Sequence, residues 1–393
     1  MKSSSAIYLL FGTFFMAAGY GATFLISFYL HSRGLSDSDV GFTLGFALVG
    51  TLIGVPLVGW LSGIINAARF TVLAALAMAT GFILLGTATE AAGNITFLAV
   101  TLIGLGWGIF YISGPMALSD RVSDAQRGSW FTCFSAFQMA GICGTPILLS
   151  MAMKGLAFDI KTVYLIVGCT AIFAALLLAS FERKEPLLKN KPKLRSWVRN
   201  IKVIKSSAAI KPIIMVGLGG GLFSAIMAFQ VFLTQNSDSK AETFYAFHVT
   251  TVVCARIFLA RHLTKIKREK LIPALMLCLI IGILCLFGIQ QHRAFHILSA
   301  VLTGLGYGLV YPVIQTWAIN SSEQIHRHAV MTWFVLAYFL GIFGFPALGE
   351  WIVAAAGKNA FISVVAALAC MELLVAIFPQ AKVRRQKPAY LKS

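Results

Sequence analysis

The sequence predicts an all-α integral membrane protein of twelve transmembrane helices in two six-helix repeats. Three observations predict it: too little charge for a water-facing surface, apolar runs of membrane-spanning length, and a repeat that relates the two halves. Of 393 residues, 58% are hydrophobic and only 12% are charged, with a mean hydropathy of +0.83. A soluble domain carries about a quarter charged residues. The exterior of this chain therefore faces lipid.

A spanning helix takes about 20 predominantly apolar residues, and the chain divides at that grain. The first six candidate spans are Ala6–Leu30, Val40–Leu61, Phe70–Thr87, Thr96–Leu118, Ser129–Met153 and Thr162–Phe181. The second six are Ile213–Thr234, Glu242–Ala260, Leu271–Ile289, Phe295–Ile319, Ala329–Val353 and Asn359–Phe378. The third and ninth are the weakest candidates, because their apolar runs are short. The first is expected to be a retained span, since it is long and no small-residue cleavage signal follows it.

Between the two sets lies a basic stretch, Glu182 to Lys211, with ten Lys or Arg and with Pro186 and Pro192. The expected organisation is a six-helix bundle over 1–181, a basic cytoplasmic linker over 182–211 and a second bundle with a basic tail over 212–393. Part of the linker is expected to lie as an amphipathic helix on anionic headgroups. Orientation follows from the excess of Lys and Arg in cytoplasmic loops. With both termini inside, 25 of the 32 basic residues are cytoplasmic, six are on the other side, and Arg256 lies within the eighth span. The expected location is the cell inner membrane, crossed many times.

The net charge of +18 does not indicate nucleic acid, because its Lys and Arg sit in short loops between apolar runs, where they set topology. The seven cysteines all fall in apolar segments and none forms a CxxC pair. They suit apolar packing and indicate neither a zinc site nor a disulfide framework. The cluster Gly217-Leu218-Gly219-Gly220-Gly221 has no lysine and no strand–turn–helix context, so it is no phosphate loop. Energy is then expected from an ion or solute gradient, with no cofactor.

The repeat has an offset of 200. Leu102–Leu148 lies on Leu302–Leu348 without a gap, giving 14 identities in 47 positions. Gly104, Gly106, Gly108 and Tyr111 match Gly304, Gly306, Gly308 and Tyr311. Arg127, Thr132 and Phe134 match Arg327, Thr332 and Phe334, and Gly141, Gly144 and Pro146 match Gly341, Gly344 and Pro346. Gly19 and Gly21 lie over Gly219 and Gly221 at the same offset. Apolar composition yields chance Leu and Ile matches; shared glycines, a proline and an arginine in one register indicate duplication.

Twelve spans in six-plus-six form around a basic loop resemble the major facilitator superfamily, whose halves are related by such repeats. Gly141-Ile142-Cys143-Gly144-Thr145-Pro146 resembles that family's antiporter motif, and Gly341-Ile342-Phe343-Gly344-Phe345-Pro346 echoes it. The hallmark turn after the second span is reduced to Gly59-Trp60-Leu61-Ser62-Gly63 and Arg69, with Gly63 where the family carries an aspartate. The fourth span has Val100 near the position of the arginine found in proton-coupled drug exporters.

The resemblance implies a central cavity lined by the first, fourth, seventh and tenth spans. Trp107 and Tyr111 on the fourth span, and Tyr307, Tyr311 and Gln315 on the tenth, would then face the solute. Aromatic faces with polar tips suit an amphipathic organic molecule, and interfacial or core packing is the other reading. Polar side chains within spans are costly in lipid and are default site candidates. Gln138, Tyr338 and Gln230 qualify, as does Arg256, which either snorkels to the surface or points inward at an anionic solute. His248 and Glu350 are candidates for coupling, His248 also having a structural hydrogen-bonded reading. Asp120 and Arg127 in the turn between the fourth and fifth spans, and Arg327 in its repeat counterpart, are candidates for a cytoplasmic latch or for topological anchoring. Glu372 falls within the twelfth span, which packs outside the cavity in this family, so a structural pair or snorkelling is expected of it, with a part in proton coupling as the other reading.

The expected function is secondary active transport of a small organic solute by alternating access in the lipid bilayer. The Gly/Pro pattern favours efflux of a metabolite, siderophore-like or other, or of a drug. The alternatives are uptake by ion symport and a non-transporting membrane sensor. A proton or other ion is the expected coupling partner, the chain is expected to be a monomer, and no clustered His, Asp or Glu suggests an enzyme.

Overall fold

The computed structural model describes residues 3–88, 93–155, 158–184, 197–198, 201–205, 207–235, 237–263 and 265–378. The described residues are all-helical, with 88% of them in helix. Most of the basic linker and the basic tail lie outside the described residues, and with them most of the stretch expected on headgroups.

The first span is α1 (Ser3–Ala22) continued by α2 (Phe24–Ser32). At the joint both the amide and the hydroxyl of Thr23 donate to the Tyr20 carbonyl, at 3.0 and 2.6 Å. α3 (Asp37–Leu61) starts from a capping box in which Ser36 Oγ accepts from the Asp39 amide at 3.3 Å. α4 (Ala67–Thr87) is capped by Asn66, whose Oδ1 accepts from the Arg69 amide at 2.8 Å. α5 (Asn94–Ser119), α6 (Asp124–Gly155) and α7 (Ile160–Lys184) complete the first set.

A short α8 (Ile201–Lys205) lies in the linker. The second set comprises α9 (Ile210–Ala228) with α10 (Gln230–Leu233), α11 (Ala241–Leu263), α12 (Arg268–Leu284), α13 (Arg293–Asn320) and α14 (Arg327–Ile377). α14 carries the last two spans. Gly357, at φ 76° and ψ −172°, breaks it in a conformation that a side chain would strain. Twelve long helical runs result.

Among the described residues, ten runs are long and apolar enough to cross a membrane, including the third and the ninth. The expectation that those two are weakest is corrected. The fifth and eighth spans are carried by α6 and α11, which hold buried polar groups: Arg127, Thr132, Ser135 and Gln138 on α6, His248 and Arg256 on α11. Such groups face protein, not lipid.

Packing follows the small residues. A Cβ on Gly104 or Gly108 of α5 would stand 2.0 Å from the Ala47 carbonyl oxygen or 2.3 Å from that of Thr51, so α3 and α5 touch backbone to backbone. The repeat is looser here: on Gly304 it would meet the His248 carbonyl at 2.9 Å, and on Gly308 the Val252 side chain at 2.8 Å. Gly141 packs on the Phe14 carbonyl and Gly341 on that of Gly217, at 2.3 and 2.1 Å from a built Cβ. α1 thus meets α6 as α9 meets α14. Between the two sets, α6 packs on α11 and α13, and α3 packs on α14.

Candidate functional site

Arg256 of α11 lies at the centre of the inter-set contact and is 1% exposed, so it points inward and does not snorkel. Its Nε donates to the Gly308 carbonyl at 2.7 Å and its Nη1 to the Ser135 carbonyl at 3.0 Å. The sequence explains the first acceptor. A helical carbonyl at 308 would receive the amide of residue 312, but Pro312 has none, so the oxygen is free for the guanidinium. No acidic side chain pairs with Arg256 among the described residues. A buried guanidinium without a counter-charge is costly unless something completes it.

Around it stands an aromatic cluster drawn from both repeats. The Tyr111 ring of α5 stacks on Tyr338 of α14, with centroids 5.4 Å apart and planes at 6°. Tyr311 of α13 meets Tyr338 at 5.2 Å, and Tyr307, one turn earlier, stacks on Phe223 of α9 at 5.0 Å. Trp107 lies 5.5 Å from Tyr111 and is itself covered by Tyr20 of α1, stacked at 4.1 Å. The hydroxyls of Tyr111, Tyr307, Tyr311 and Tyr338 are all within electrostatic reach of Arg256. Gln138, buried on α6, is one turn from the Ser135 carbonyl that holds the guanidinium. Gln315 extends the α13 stripe by a further turn and is also buried.

Three expected residues stand elsewhere. Gln230 is fully buried, donating to the Ile226 carbonyl at 2.7 Å while its Oε1 faces His296 Nε2 at 3.0 Å. His248 Nδ1 pairs with Thr303 Oγ1 at 3.1 Å, the structural arrangement. Glu350 is exposed on α14 and makes no hydrogen bond or ion pair among the described residues. A recess of about 330 Å³ between α12 and α13, lined by Ile281, Leu284, Phe287 and Phe295, is apolar and separate from the cluster.

At the end of the bundle that bears the linker, charged turns of the two sets meet. Arg327 Nη2 lies 3.1 Å from both carboxylate oxygens of Asp124, which also pairs with Arg127 Nη1 at 2.8 Å. Arg127 donates to Asn320 Oδ1 as well, and His328 Nε2 faces Asp120 Oδ1 at 3.0 Å. Trp197 of the linker is wedged beside them. Its ring lies 5.1 Å from Trp333 of α14 and 6.1 Å from Trp60 of α3, and its carbonyl accepts the Trp333 indole N–H at 3.2 Å. Arg69, the remnant of the hallmark turn, pairs instead with Glu182 at 2.7 Å, tying α4 to α7.

Sequence reasoning missed Tyr20, Asp124, Asn320, His328, Trp197 and the place of Glu372. A tyrosine between Gly19 and Gly21, and a tryptophan in a basic linker, were the available signals for two of them. Glu372 is 1% exposed and both its oxygens lack a partner.

A family model, Major Facilitator Superfamily, matches residues 9–344. Comparison with curated protein sequences finds no match. Among solved structures the chain is similar to the Major Facilitator Superfamily transporter FucP in the outward conformation, at TM-score 0.78 and 15% identity over 95% of this chain and 98% of that one. A variant of the E. coli fucose:proton symporter FucP gives 0.78 and 14% over 97% and 100%. The human organic anion transporter MFSD10 (TETRAN) gives 0.78 and 14% over 96% and 100%. At these identities the likeness is one of fold, and the family match extends it to sequence: the chain belongs to the Major Facilitator Superfamily.

Proposed function

We propose that this transporter moves a small organic anion by alternating access, with Arg256 and the tyrosine cluster as the central site. The observation that carries the reading is a guanidinium buried between the two sets, held by two carbonyls and lacking an acidic partner among the described residues. An organic anion would supply the counter-charge, and Tyr111, Tyr307, Tyr311 and Tyr338 would supply aromatic faces and hydroxyl donors. The resemblance in fold to an organic anion transporter is compatible with this class. The bundles 1–181 and 212–393 are the two moving bodies. The linker end faces the cytoplasm of a cell inner membrane, and Asp120, Asp124, Arg127 and Arg327 close that end in the present state.

Two directions are open to such a site. The antiporter-like Gly141 and Pro146 suggest export, although the packing of Gly141 on the Phe14 carbonyl accounts for that glycine by itself. Glu372 favours proton-driven uptake as the second reading, because a carboxylate beside the site binds an anion better once it is protonated. The test is counterflow in liposomes with purified protein, using naphthalene-2-sulfonate, a neutral sugar and an aromatic amine as probes. Accumulation of the sulfonate alone is expected; accumulation of none, under any imposed gradient, would support a non-transporting sensor.

A further inference from the structure

Glu372 is the charged group that the central site does not use. It lies in the last span, carried by α14, which as a whole packs against α9, α12 and α13. Gly219 of α9 makes room for it. A Cβ on that glycine would stand 3.4 Å from Glu372 Oε1, 3.5 Å from Oε2 and 3.4 Å from Cε2 of Tyr307. Carboxylate and tyrosine thus flank one glycine gap. Both carboxylate oxygens are buried without a hydrogen-bond partner among the described residues, and the Tyr307 hydroxyl lies within interaction range of that of Tyr338.

Among the described residues, the groups around it offer no compensating charge. From α13 the facing titratable group is Tyr307. α9 presents Gly219, and its single charged residue, Lys211, sits in the first turn and donates to the Phe378 carbonyl. α12 carries Arg268, Glu269 and Lys270 in its first turn and otherwise only the thiols of Cys278 and, just beyond, Cys285. On α14 itself, Lys358 donates to the Leu233 carbonyl and Cys370 is exposed. A carboxylate in apolar surroundings with neither partner nor counter-charge is far costlier as the anion than as the neutral acid.

We propose that Glu372 is the proton-binding site of this transporter and that Tyr307 relays its state to the anion site. Deprotonated, Glu372 accepts a hydrogen bond from the Tyr307 hydroxyl and draws it away from the cluster, while its charge repels an anion at Arg256. On taking a proton from water it releases Tyr307 to donate toward the solute, and the repulsion vanishes. Proton and anion therefore bind together, which is the stoichiometric basis of symport. The sign of this coupling rests on the anion reading above; the proton site does not.

Two measurements on the full-length protein in nanodiscs test it separately. Infrared difference spectra against pH are expected to show a buried protonated-carboxyl band that is missing in Glu372→Gln, retained in Glu350→Gln and shifted in Tyr307→Phe. Naphthalene-2-sulfonate, whose own charge does not change with pH, is expected to bind about tenfold more weakly at high than at low pH in the wild type. That dependence should fall below about twofold in Glu372→Gln, with affinity near the low-pH value. A carboxyl band unchanged in Glu372→Gln overturns the proton site, and an unchanged pH dependence of affinity overturns the relay. If the sulfonate does not bind the wild type, the anion reading fails and the infrared arm still decides the proton site.

Discussion

Arg327 of α14 and Asp124 of α6 meet across the junction between the two sets, with Arg327 Nη2 3.1 Å from each carboxylate oxygen. Asp124 also pairs with Arg127, which is fully buried. The carboxyl is partly desolvated, which raises its pKa, but the attraction and hydrogen bonds of Arg127 and Arg327 outweigh this and hold it below the ordinary carboxylate range. A depressed pKa contributes to the closed linker end at neutral pH, and the contribution is lost as pH falls through the depressed value. The contact should therefore weaken only at pH values below the ordinary carboxylate range. Because Asp124 is well exposed, Arg327→Gln should favour the linker-open state by about 0.2–1 kcal/mol, or about 1.5- to 5-fold. Spin-label distances between Ser62 and Ser322 would report it. Asp124→Asn should shift them further, because it also strips the ion pair from buried Arg127.

Trp197 should act as a wedge at the same end. Its rings touch Trp60 and Trp333, which belong to different sets, at about 0.5–1.5 kcal/mol for each aromatic pair. Opening parts Trp197 from only one of the two rings, so Trp197→Ala is expected to open the linker end by about 2- to 13-fold. Gly59→Ala should do the same by another route, since its Cβ would stand 2.6 Å from Trp197 Cδ1. Unchanged label distances in both variants would show that the linker is a passive tether.

The glycine repeat is symmetric in sequence and asymmetric in packing, so its variants should differ. Gly104→Ala drives a methyl into backbone at 2.0 Å, whereas Gly304→Ala meets its nearest atom at 2.9 Å. Overpacking costs about 1–3 kcal/mol, and the first variant should reach the upper end. Thermal unfolding in detergent, with Gly104→Ala several degrees below Gly304→Ala, checks this. Equal midpoints would mean that α3 yields freely.

The fold was legible because its causes are local: apolar runs, a basic linker, and glycines repeated at an offset of 200. This protein is a transporter and not an enzyme, as the sequence suggests. The site was legible in part. Polar side chains within spans led to Arg256 and Gln138, and the tyrosine stripes on α5 and α13 do converge, joined by Tyr338. The same rule also picked Gln230 and His248, whose polar atoms are satisfied by His296, the Ile226 carbonyl and Thr303. Pattern alone cannot separate a satisfied buried group from an unsatisfied one, because the partner is distant in sequence. Glu372 was read first as structural for the opposite reason. The family resemblance put its span outside the cavity, and only the gap at Gly219 brings it beside Tyr307. Pro312 held a readable clue, since a proline frees the carbonyl four residues earlier, here the one that anchors Arg256.

The central claim is that the Arg256 charge recognises the solute. Naphthalene-2-sulfonate binding to purified wild type, Arg256→Lys and Arg256→Gln, with folding checked by thermal unfolding, tests it most directly. Loss of a buried charge-assisted contact should weaken affinity by about ten- to a hundredfold in Arg256→Gln. Arg256→Lys, which keeps the charge but not the two-carbonyl fork, should fall between. Folded Arg256→Gln protein that binds the sulfonate as tightly as wild type would contradict the account.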